Sequence, residues 1–295
     1  MGALAVGRLA LLVASASAAV VLLTACGERS EPTGPAAELY PVTVSSVSGE
    51  KPLVLKTPAR RLVVLAPPVG GLAVDLGAGK RVVGTPLAAN GTVKTKELAR
   101  LKPDLLFASS DTDDSILAAA ARVAKDVPVY VAQVGDIRSV ERTIVQLGLI
   151  TDESVAARRL VRKIEAERRA VDRKLVGVPG VSVFVDRGFF TTYSNQSLVG
   201  DMLREAHAHN VAGEATQVGP FDLDELARLD PHFYLATSDG GTTLASLRRG
   251  KQTKKLGAIV AGRFAIIDAR LLDPGPSIGA GLKELARILH PNAFR

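Results

Sequence analysis

Residues 152–175 read DESVAARRLVRKIEAERRAVDRKL, a stretch without glycine or proline in which apolar residues recur at helical spacing among charged ones. This pattern predicts one long α-helix. At 1.5 Å per residue the helix would be about 35 Å long, close to the width of a small domain. Thr151 is a candidate N-cap residue, and Gly-Val-Pro-Gly at residues 177–180 would end the helix.

Short apolar runs alternate with helical segments on the N-terminal side of this helix. The runs have the length and the β-branched content of buried strands, and an alanine-rich stretch between two of them has a helical pattern. This alternation predicts parallel βαβ units. The predicted strands lie at residues 62–65, 81–84, 105–108 and 127–131, and the helix at 115–125.

The same alternation returns on the C-terminal side, with predicted strands at 181–185, 233–236 and 264–267 and helices at 198–206 and 282–289. The fold class is therefore α/β, with two Rossmann-like lobes bridged by one long helix. The predicted division is an N-terminal lobe at 39–150, the helix at 151–177 and a C-terminal lobe at 178–295. Because a continuous helix lacks the backbone freedom of a hinge, we expect the cleft between the lobes to move little.

The N-terminal segment predicts export and lipid attachment. A short start with Arg8 precedes an apolar run at residues 9–23, which is shorter than the roughly 20 residues that a membrane span needs. The run ends in Leu-Thr-Ala-Cys26, which resembles the lipobox of bacterial lipoproteins. The resemblance implies a signal peptide at 1–25, acylation of Cys26 (for example by palmitate) and a polar tether at 26–38. The alternative is an uncleaved membrane anchor.

Amino-acid composition narrows the possible chemistry and partners of the protein. Cys26 is the single cysteine, so a protein acylated there has neither a disulfide nor a thiol nucleophile. The net charge is +7, and removal of the segment containing Arg8 leaves +6, which suits an anionic ligand or anionic lipid headgroups. Lysine and arginine are spread along the chain and not gathered with aromatic residues, so nucleic acid is not expected as a partner.

Four motifs occur along the chain in the order LGAGKRVVG (76–84), LKPDLL (101–106), LVGDML (198–203) and LDPHFY (229–234). In this order they resemble the periplasmic binding proteins for ferric siderophores, cobalamin and haem that serve ABC importers. The resemblance implies a two-lobed protein at the outer face of the cytoplasmic membrane, held there by its lipid anchor alone. It also implies a monomer without catalytic activity, resident metal or cofactor, whose partners are permease subunits and a chelate carrying Fe³⁺, a corrinoid or haem.

Two departures from the family pattern concern the permease and the ligand. Each lobe of such proteins usually presents an acidic residue to permease arginines, and in the second lobe this position matches Asp224, with Glu225 beside it. In the first lobe it falls on Gly71, and the nearest acid is Asp75. The chain also has no tryptophan, which the family often uses against its ligand. A non-transport binding or scaffold lipoprotein of the same fold is therefore the alternative function.

Ligands of α/β sheets bind beyond the carboxyl ends of the strands, so residues there are the candidate ligand-binding residues. Arg187 suits the oxygen atoms of a ferric chelate. Pairing of Arg187 with Asp186 or Asp239 at the rim of the cleft is an equal alternative. The full set of candidates is Ser109, Ser110, Arg187, Phe189, Phe190, Tyr193, Asp239 and Asp273.

Two further patterns suggest other chemistry. Gly-Pro-Ser277-Ile-Gly matches the G-x-S-x-G string of serine hydrolases, but the downstream His290 would lie about 20 Å away along one helix, so Ser277 is interpreted as a helix N-cap. A hydrolase is accordingly the third and most distant candidate. His207 and His209 are two residues apart at a predicted helix end and lack the spacing and number of ligands of a zinc site, so a solvated turn is expected.

Overall fold

The computed structural model describes residues 40–46, 52–214 and 219–295. The predicted signal peptide, Cys26 and the whole of the predicted tether fall in the part of the chain that is not described. Within the described ranges, no helix combines the length and the apolar character needed to span a membrane.

The first lobe is built around a parallel sheet. A short antiparallel pair, β1 (Val42–Val44) and β2 (Leu53–Leu55), precedes it. The sheet itself contains β3 (Leu62–Val64), β4 (Val82–Gly84), β5 (Leu105–Ser109) and β6 (Val129–Ala132), in the order β4-β3-β5-β6. Strands β3 and β5 are buried along their whole length, as the central strands of a sheet covered on both faces must be.

Helices cover both faces of this sheet. Asp113 and Asp136 accept hydrogen bonds from backbone N–H groups at the starts of two of them, which explains where these helices begin. The helices are α1 (Pro67–Ala73), α2 (Thr95–Leu101), α3 (Asp114–Val123) and α4 (Ile137–Ile150); a π-helical turn (Val74–Ala78) and a 3₁₀ turn (Gly79–Arg81) follow α1.

The bridging helix α5 spans Ser154–Leu175. Thr151 is not its N-cap: the residue is buried and its hydroxyl donates a 2.7 Å hydrogen bond to the Leu147 carbonyl, so it ends α4. The two helices approach each other closely at Gly148, where a Cβ atom would lie 2.4 Å from that of Ala157. A helical hairpin therefore carries the chain out of the first lobe.

The second lobe repeats the architecture. Its parallel sheet contains β7 (Val181–Asp186), β8 (Ala208–Asn210), β9 (Phe233–Thr237) and β10 (Phe264–Ile267), in the order β10-β9-β7-β8. Its helices are α6 (Leu198–Glu205), α7 (Leu223–Leu229), α8 (Leu244–Arg249), α9 (Gly257–Val260) and α10 (Ile278–Leu289), with 3₁₀ turns at Thr253–Lys255, Ala269–Leu271 and Pro291–Phe294. The α/β fold class predicted from the sequence is confirmed.

Arg168 of α5 ties the two lobes together. Its guanidinium group donates to Glu141 of α4 at 3.1 Å and to Glu205 of α6 at 2.9 Å. A second link joins the lobes directly, because the Ile137 N–H donates to Asp201 at 2.9 Å. These partly buried contacts hold α4, α5 and α6 as one layer. They support the expectation of a rigid connection, and the exact lobe boundaries remain a prediction.

Candidate functional site

The carboxyl ends of both sheets meet at a cleft of about 640 Å³. The first lobe contributes the segments that follow β3 and β5. The second lobe contributes the loop after β7, the start of α6 and the segment before α10. The polar residues that line the cleft are Ser109, Asp111, Thr112, Asp113, Arg187, Thr192, Tyr193, Ser194, Ser197 and Asp273. The cleft thus lies where ligands of parallel α/β sheets bind.

Arg187 lies in the cleft without a carboxylate partner among the described residues. Its guanidinium carbon is 4.5 Å from the centroid of the Tyr193 ring, which is the geometry of a cation–π contact. Burial raises the pKa of Tyr193, and the adjacent Arg187 charge opposes that rise. Arg187 forms no ion pair with Asp186 or Asp239, which the sequence also allowed, and the oxygens of Asp186 accept instead from backbone N–H and hydroxyl groups. An exposed, preoriented guanidinium is therefore available to an anionic group.

Asp186 shapes the loop that carries Arg187. This aspartate is fully buried, and its two oxygens accept four hydrogen bonds, none of them from a cation: Gly188 N–H (2.8 Å), Phe190 N–H (3.1 Å), Tyr234 hydroxyl (2.8 Å) and Thr242 hydroxyl (2.7 Å). Burial, followed by the charge of Asp186, raises the pKa of Tyr234, so this hydroxyl remains a donor. The carboxylate therefore turns the chain sharply just after β7.

Gly188 is required at the turn. Its φ of +108° is a backbone conformation that residues with a side chain rarely adopt, and a Cβ atom would lie 2.9 Å from the Cα of Gly240. On the far side of the loop, the buried Asn210 donates to the Thr192 hydroxyl and to the Tyr193 carbonyl, each at 2.7 Å. The Arg187–Tyr193 pair is thus fixed from both ends of the loop.

Phe189 and Phe190 do not share the cleft with Arg187 and Tyr193. Both have positive φ angles, and they line a separate cavity of about 490 Å³ together with residues of α8. Phe189 is 86% exposed, whereas Phe190 packs against the core that contains Phe184 and Tyr234. The aromatic wall expected from the sequence is therefore divided, and Tyr193 is its part within the cleft.

Of the remaining predicted ligand-binding residues, some line the cleft and others do not. Ser109 lines the cleft, but Ser110 does not; its N–H donates to the Ala132 carbonyl at 2.8 Å. Asp273 lines the cleft and the exposed Asp239 does not. Partial burial, together with the nearby carboxylates of Asp239 and Asp268, raises the pKa of Asp273.

The cleft offers charges of both signs. Arg187 faces carboxylates at Asp111, Asp113 and Asp273 in the lining, so acidic groups outnumber the single cation. Hydrogen bonding by Ser115 holds the pKa of Asp113 below its ordinary value, and this residue is the N-cap of α3. The sequence contained a signal for Asp113, namely an aspartate directly before a helical pattern, but it was not among the candidates.

The histidine pair and the G-x-S-x-G string do not form a zinc site or a hydrolase site within the described residues. His207 lies in the turn between the end of α6 and β8, and His209 lies within the edge strand β8; the Nδ1 atom of His207 is 3.0 Å from the Val178 carbonyl. Within the described ranges, no group of three potential metal ligands occurs. Ser277 and His290 lie at opposite ends of α10, where Nε2 of His290 is 2.9 Å from the Ala206 carbonyl. Ser277 occupies the N-cap position, but its side chain makes no capping hydrogen bond.

A second, larger cavity of about 860 Å³ lies between α4, α5 and α6, away from the strand ends. Charged side chains line it, and the Arg168 ion pairs with Glu141 and Glu205 cross it. Burial raises the pKa of Glu141. Since these groups already satisfy one another, we assign this cavity to the contact between the lobes and not to ligand binding.

Two α/β lobes that are tied by a helix and share a preformed cleft define a bilobed binding protein. The family model for periplasmic binding proteins matches residues 78–271. The chain belongs to the periplasmic binding protein family, and it therefore acts outside the cytoplasm. The family resemblance predicted from the sequence is confirmed.

Solved structures of low sequence identity share this fold. Helicobacter pylori CeuE in a Ni-His complex has a TM-score of 0.74 and 14% identity, covering 86% of this chain and 89% of that one. The Haemophilus influenzae molybdate-binding protein MolA has a TM-score of 0.71 and 19% identity, covering 83% of this chain and 90% of that one. The haem-binding protein RhuT of Roseiflexus sp. RS-1 has a TM-score of 0.64 and 19% identity, covering 80% of this chain and 99% of that one. No curated protein matches the sequence significantly. At these identities the similarity establishes the fold and not the ligand.

Proposed function

We propose that this protein is the substrate-binding lipoprotein of an ABC importer and that it captures a ferric siderophore or a similar chelate between its lobes. The observation that supports this function most directly is the arrangement of Arg187, which is stacked on Tyr193 and unpaired within a cleft at the strand ends. The protein would bind its ligand without transforming it, and Fe³⁺ would be cargo and not a resident cofactor.

The chemistry of the cleft favours an oxygen-rich chelate. A guanidinium group recognises carboxylate or hydroxamate oxygens, and the carboxylate of Asp111 suits hydroxyl or amine donors on the same ligand. The nickel, molybdate and haem named for the three similar structures are all metal-containing species, which supports a metal-containing ligand here. Corrinoids and haem remain alternatives within this proposal.

Ligand-stabilised melting tests the proposed ligand class. The mature protein is heated with ferric catecholate, hydroxamate and carboxylate siderophores, haem and cobalamin. A ligand present at about 100 times its Kd stabilises the folded state by about 2.7 kcal/mol, so we expect the true ligand to raise Tm by several degrees. The iron-free siderophore is the control. If no chelate raises Tm at saturating concentration, the proposed ligand class is wrong.

Asp224 and Glu225 support a permease-docking surface. They lie in the first turn of α7, and neither lines the cleft. Glu225 is paired with Arg228, and Asp224 accepts a 3.3 Å hydrogen bond from Gln252. In the first lobe Asp75 is exposed, and Gly71 has no atom within 4 Å of the position of a Cβ, so an acidic side chain would fit there.

Asp224→Ala combined with Glu225→Ala should leave ligand affinity unchanged and reduce uptake, because the lost carboxylates would contact the permease and not the ligand. Gly71→Glu should fold normally and increase uptake. Cells that carry each variant are assayed for uptake of the labelled chelate, and the purified proteins are titrated with it. The matched control is Glu97→Ala with Asp126→Ala, which removes two exposed acids of the first lobe.

Equal loss of affinity and uptake would contradict the docking assignment. Unchanged uptake in the double variant would instead favour the alternative, a binding or scaffold lipoprotein of the envelope that does not engage a permease. Gly71 is the observation that favours this second function, and the absence of a permease and an ATPase gene nearby would strengthen it.

A further inference from the structure

The solvent-facing side of α5 is strongly basic. Only one exposed acid, Asp172, lies on this helix. Within the described ranges, the single ion pair of its exposed cations joins Arg169 to Glu165 at 3.5 Å. Most of the positive charge on this side of α5 therefore has no neighbouring negative charge to offset it. The exposed cations are Arg158, Arg159, Arg162, Lys163, Arg169, Arg173 and Lys174.

These cations are concentrated on one face. At 3.6 residues per turn, the five arginines fall within an arc of about 100°, together with the exposed Val155 and Ala166 and without any acidic residue. The helix has 22 residues, so the face is about 33 Å long. The acidic residues of α5 lie outside this arc, and Glu165 flanks it and pairs with Arg169. Glu165 and Asp172 lie toward α4, and Glu167 is half-buried near Gly279.

Neither the fold nor the ligand cleft requires this basic face. The buried residues of α5, Ala157, Ile164, Val171 and Leu175, point the opposite way, into the core. None of the residues that line the cleft belongs to α5. An ordinary solvated helix gains stability from pairs of opposite charge at i and i+4, whereas this face places like charges at Arg158 and Arg162 and at Arg169 and Arg173.

We propose that the basic face of α5 lies on the anionic lipid headgroups of the membrane that holds the protein, which rests on the proposed lipid anchor at Cys26. Charge complementarity is the reason for this choice. Each lysine or arginine near an anionic bilayer strengthens attachment by about fivefold, and clusters of four to eight such residues typically mark lipid-binding surfaces. No residue that lines the cleft belongs to α5, so this contact does not use the cleft lining.

A lipid surface fits this face better than an acidic protein does. Protein interfaces centre on aromatic or aliphatic anchors that fill pockets, whereas the exposed arc has no aromatic residue and only Arg169 among its members borders the cavity between α4, α5 and α6. Its exposed apolar residues are small or short, namely Val155, which is 63% exposed, and Ala166. A straight row of long, mobile cationic side chains matches a fluid layer of phosphates.

Reporter fluorescence tests the proposed orientation. Since Cys26 is the single native cysteine, Ala166→Cys in the mature lipoprotein can carry one environment-sensitive dye at the centre of the basic face, and Ala99→Cys on α2 is the matched control. The proteins are reconstituted in phosphatidylcholine vesicles with or without phosphatidylglycerol. We expect a blue shift and quenching by lipid-bound quenchers at position 166, only with phosphatidylglycerol and only at low salt.

Charge removal gives the second readout. Arg158→Gln, Arg162→Gln and Arg173→Gln together should lower the ratio of membrane-bound to free orientation by about a hundredfold, at about fivefold per cation. Arg248→Gln, Arg249→Gln and Lys254→Gln remove equal charge from the second lobe and should have little effect. Both triple variants alter exposed side chains, so unchanged melting curves verify folding.

These experiments distinguish the proposed membrane contact of α5 from the proposed lipid anchor at Cys26. Cys26→Ala abolishes acylation and constitutive vesicle attachment if the anchor is real, and mass spectrometry of Cys26 reads this directly. If Cys26 is unmodified but the dye still responds to phosphatidylglycerol, the anchor fails and the basic face stands. A response that is independent of anionic lipid, insensitive to salt or equal in both triple variants overturns the proposal. A dye response to added acidic protein alone also overturns it.

Discussion

Asp186→Ala should lower the free energy of unfolding by about 3–5 kcal/mol, because it removes a buried acceptor and leaves four donors unpaired. Each unsatisfied buried donor costs about 1–3 kcal/mol, and local relaxation recovers part of that sum. The loop after β7 would also lose the contact that turns it, so ligand affinity should fall together with stability. Urea unfolding and ligand titration measure the two effects.

Asp186→Asn is the matched control for this prediction. The side-chain oxygen of asparagine can still accept from the Gly188 and Phe190 N–H groups, and the Tyr234 and Thr242 hydroxyls can rotate to accept from its amide. We expect a loss of about 1–2 kcal/mol for this variant. Equal losses of less than about 1 kcal/mol for both variants would show that water replaces the carboxylate and that Asp186 does not shape the loop.

Most of the fold was predictable because its signals are local. Each predicted strand occurs within two residues of its predicted ends, since apolar runs bounded by turn residues specify strands directly. Strand β8 was missed: it has three residues, Ala208–Asn210, at the sheet edge, and His209 within it is exposed. The start of α5 was placed too early, because Thr151 serves the end of α4 and only the hairpin geometry shows this.

The site was predictable in position but not in orientation. The rule that ligands bind at strand carboxyl ends led to Ser109, Arg187, Tyr193 and Asp273, which all line the cleft. Sequence position could not show that Phe189 and Phe190 face another cavity. That division results from long-range hydrogen bonds of Asp186 to Tyr234 and Thr242, which turn the loop and which no local pattern encodes.

Arg187→Ala should weaken binding of an anionic chelate by about ten- to a hundredfold, since a charge-assisted hydrogen bond contributes roughly 1.5–3 kcal/mol. Stability should change little, because the Arg187 side chain is exposed and pairs with no carboxylate in the described chain. Arg187→Lys keeps the charge but loses the planar stacking on Tyr193, so we expect an intermediate affinity. A neutral corrinoid should respond less, and isothermal titration of each variant measures these differences.

Asp273→Asn is a control for which the expected change in ligand affinity has the opposite sign. Ionised Asp273 repels an anionic ligand, so its neutral replacement should strengthen binding severalfold at neutral pH. Burial and two nearby carboxylates raise the pKa of Asp273. Affinity in the native protein should therefore increase as the pH falls through this raised pKa and the carboxyl takes up a proton, and the variant should lack that part of the pH dependence. If Arg187→Ala changes no affinity by more than about twofold, Arg187 does not contact the ligand, and if Asp273→Asn then weakens binding, the ligand is cationic at that end of the cleft.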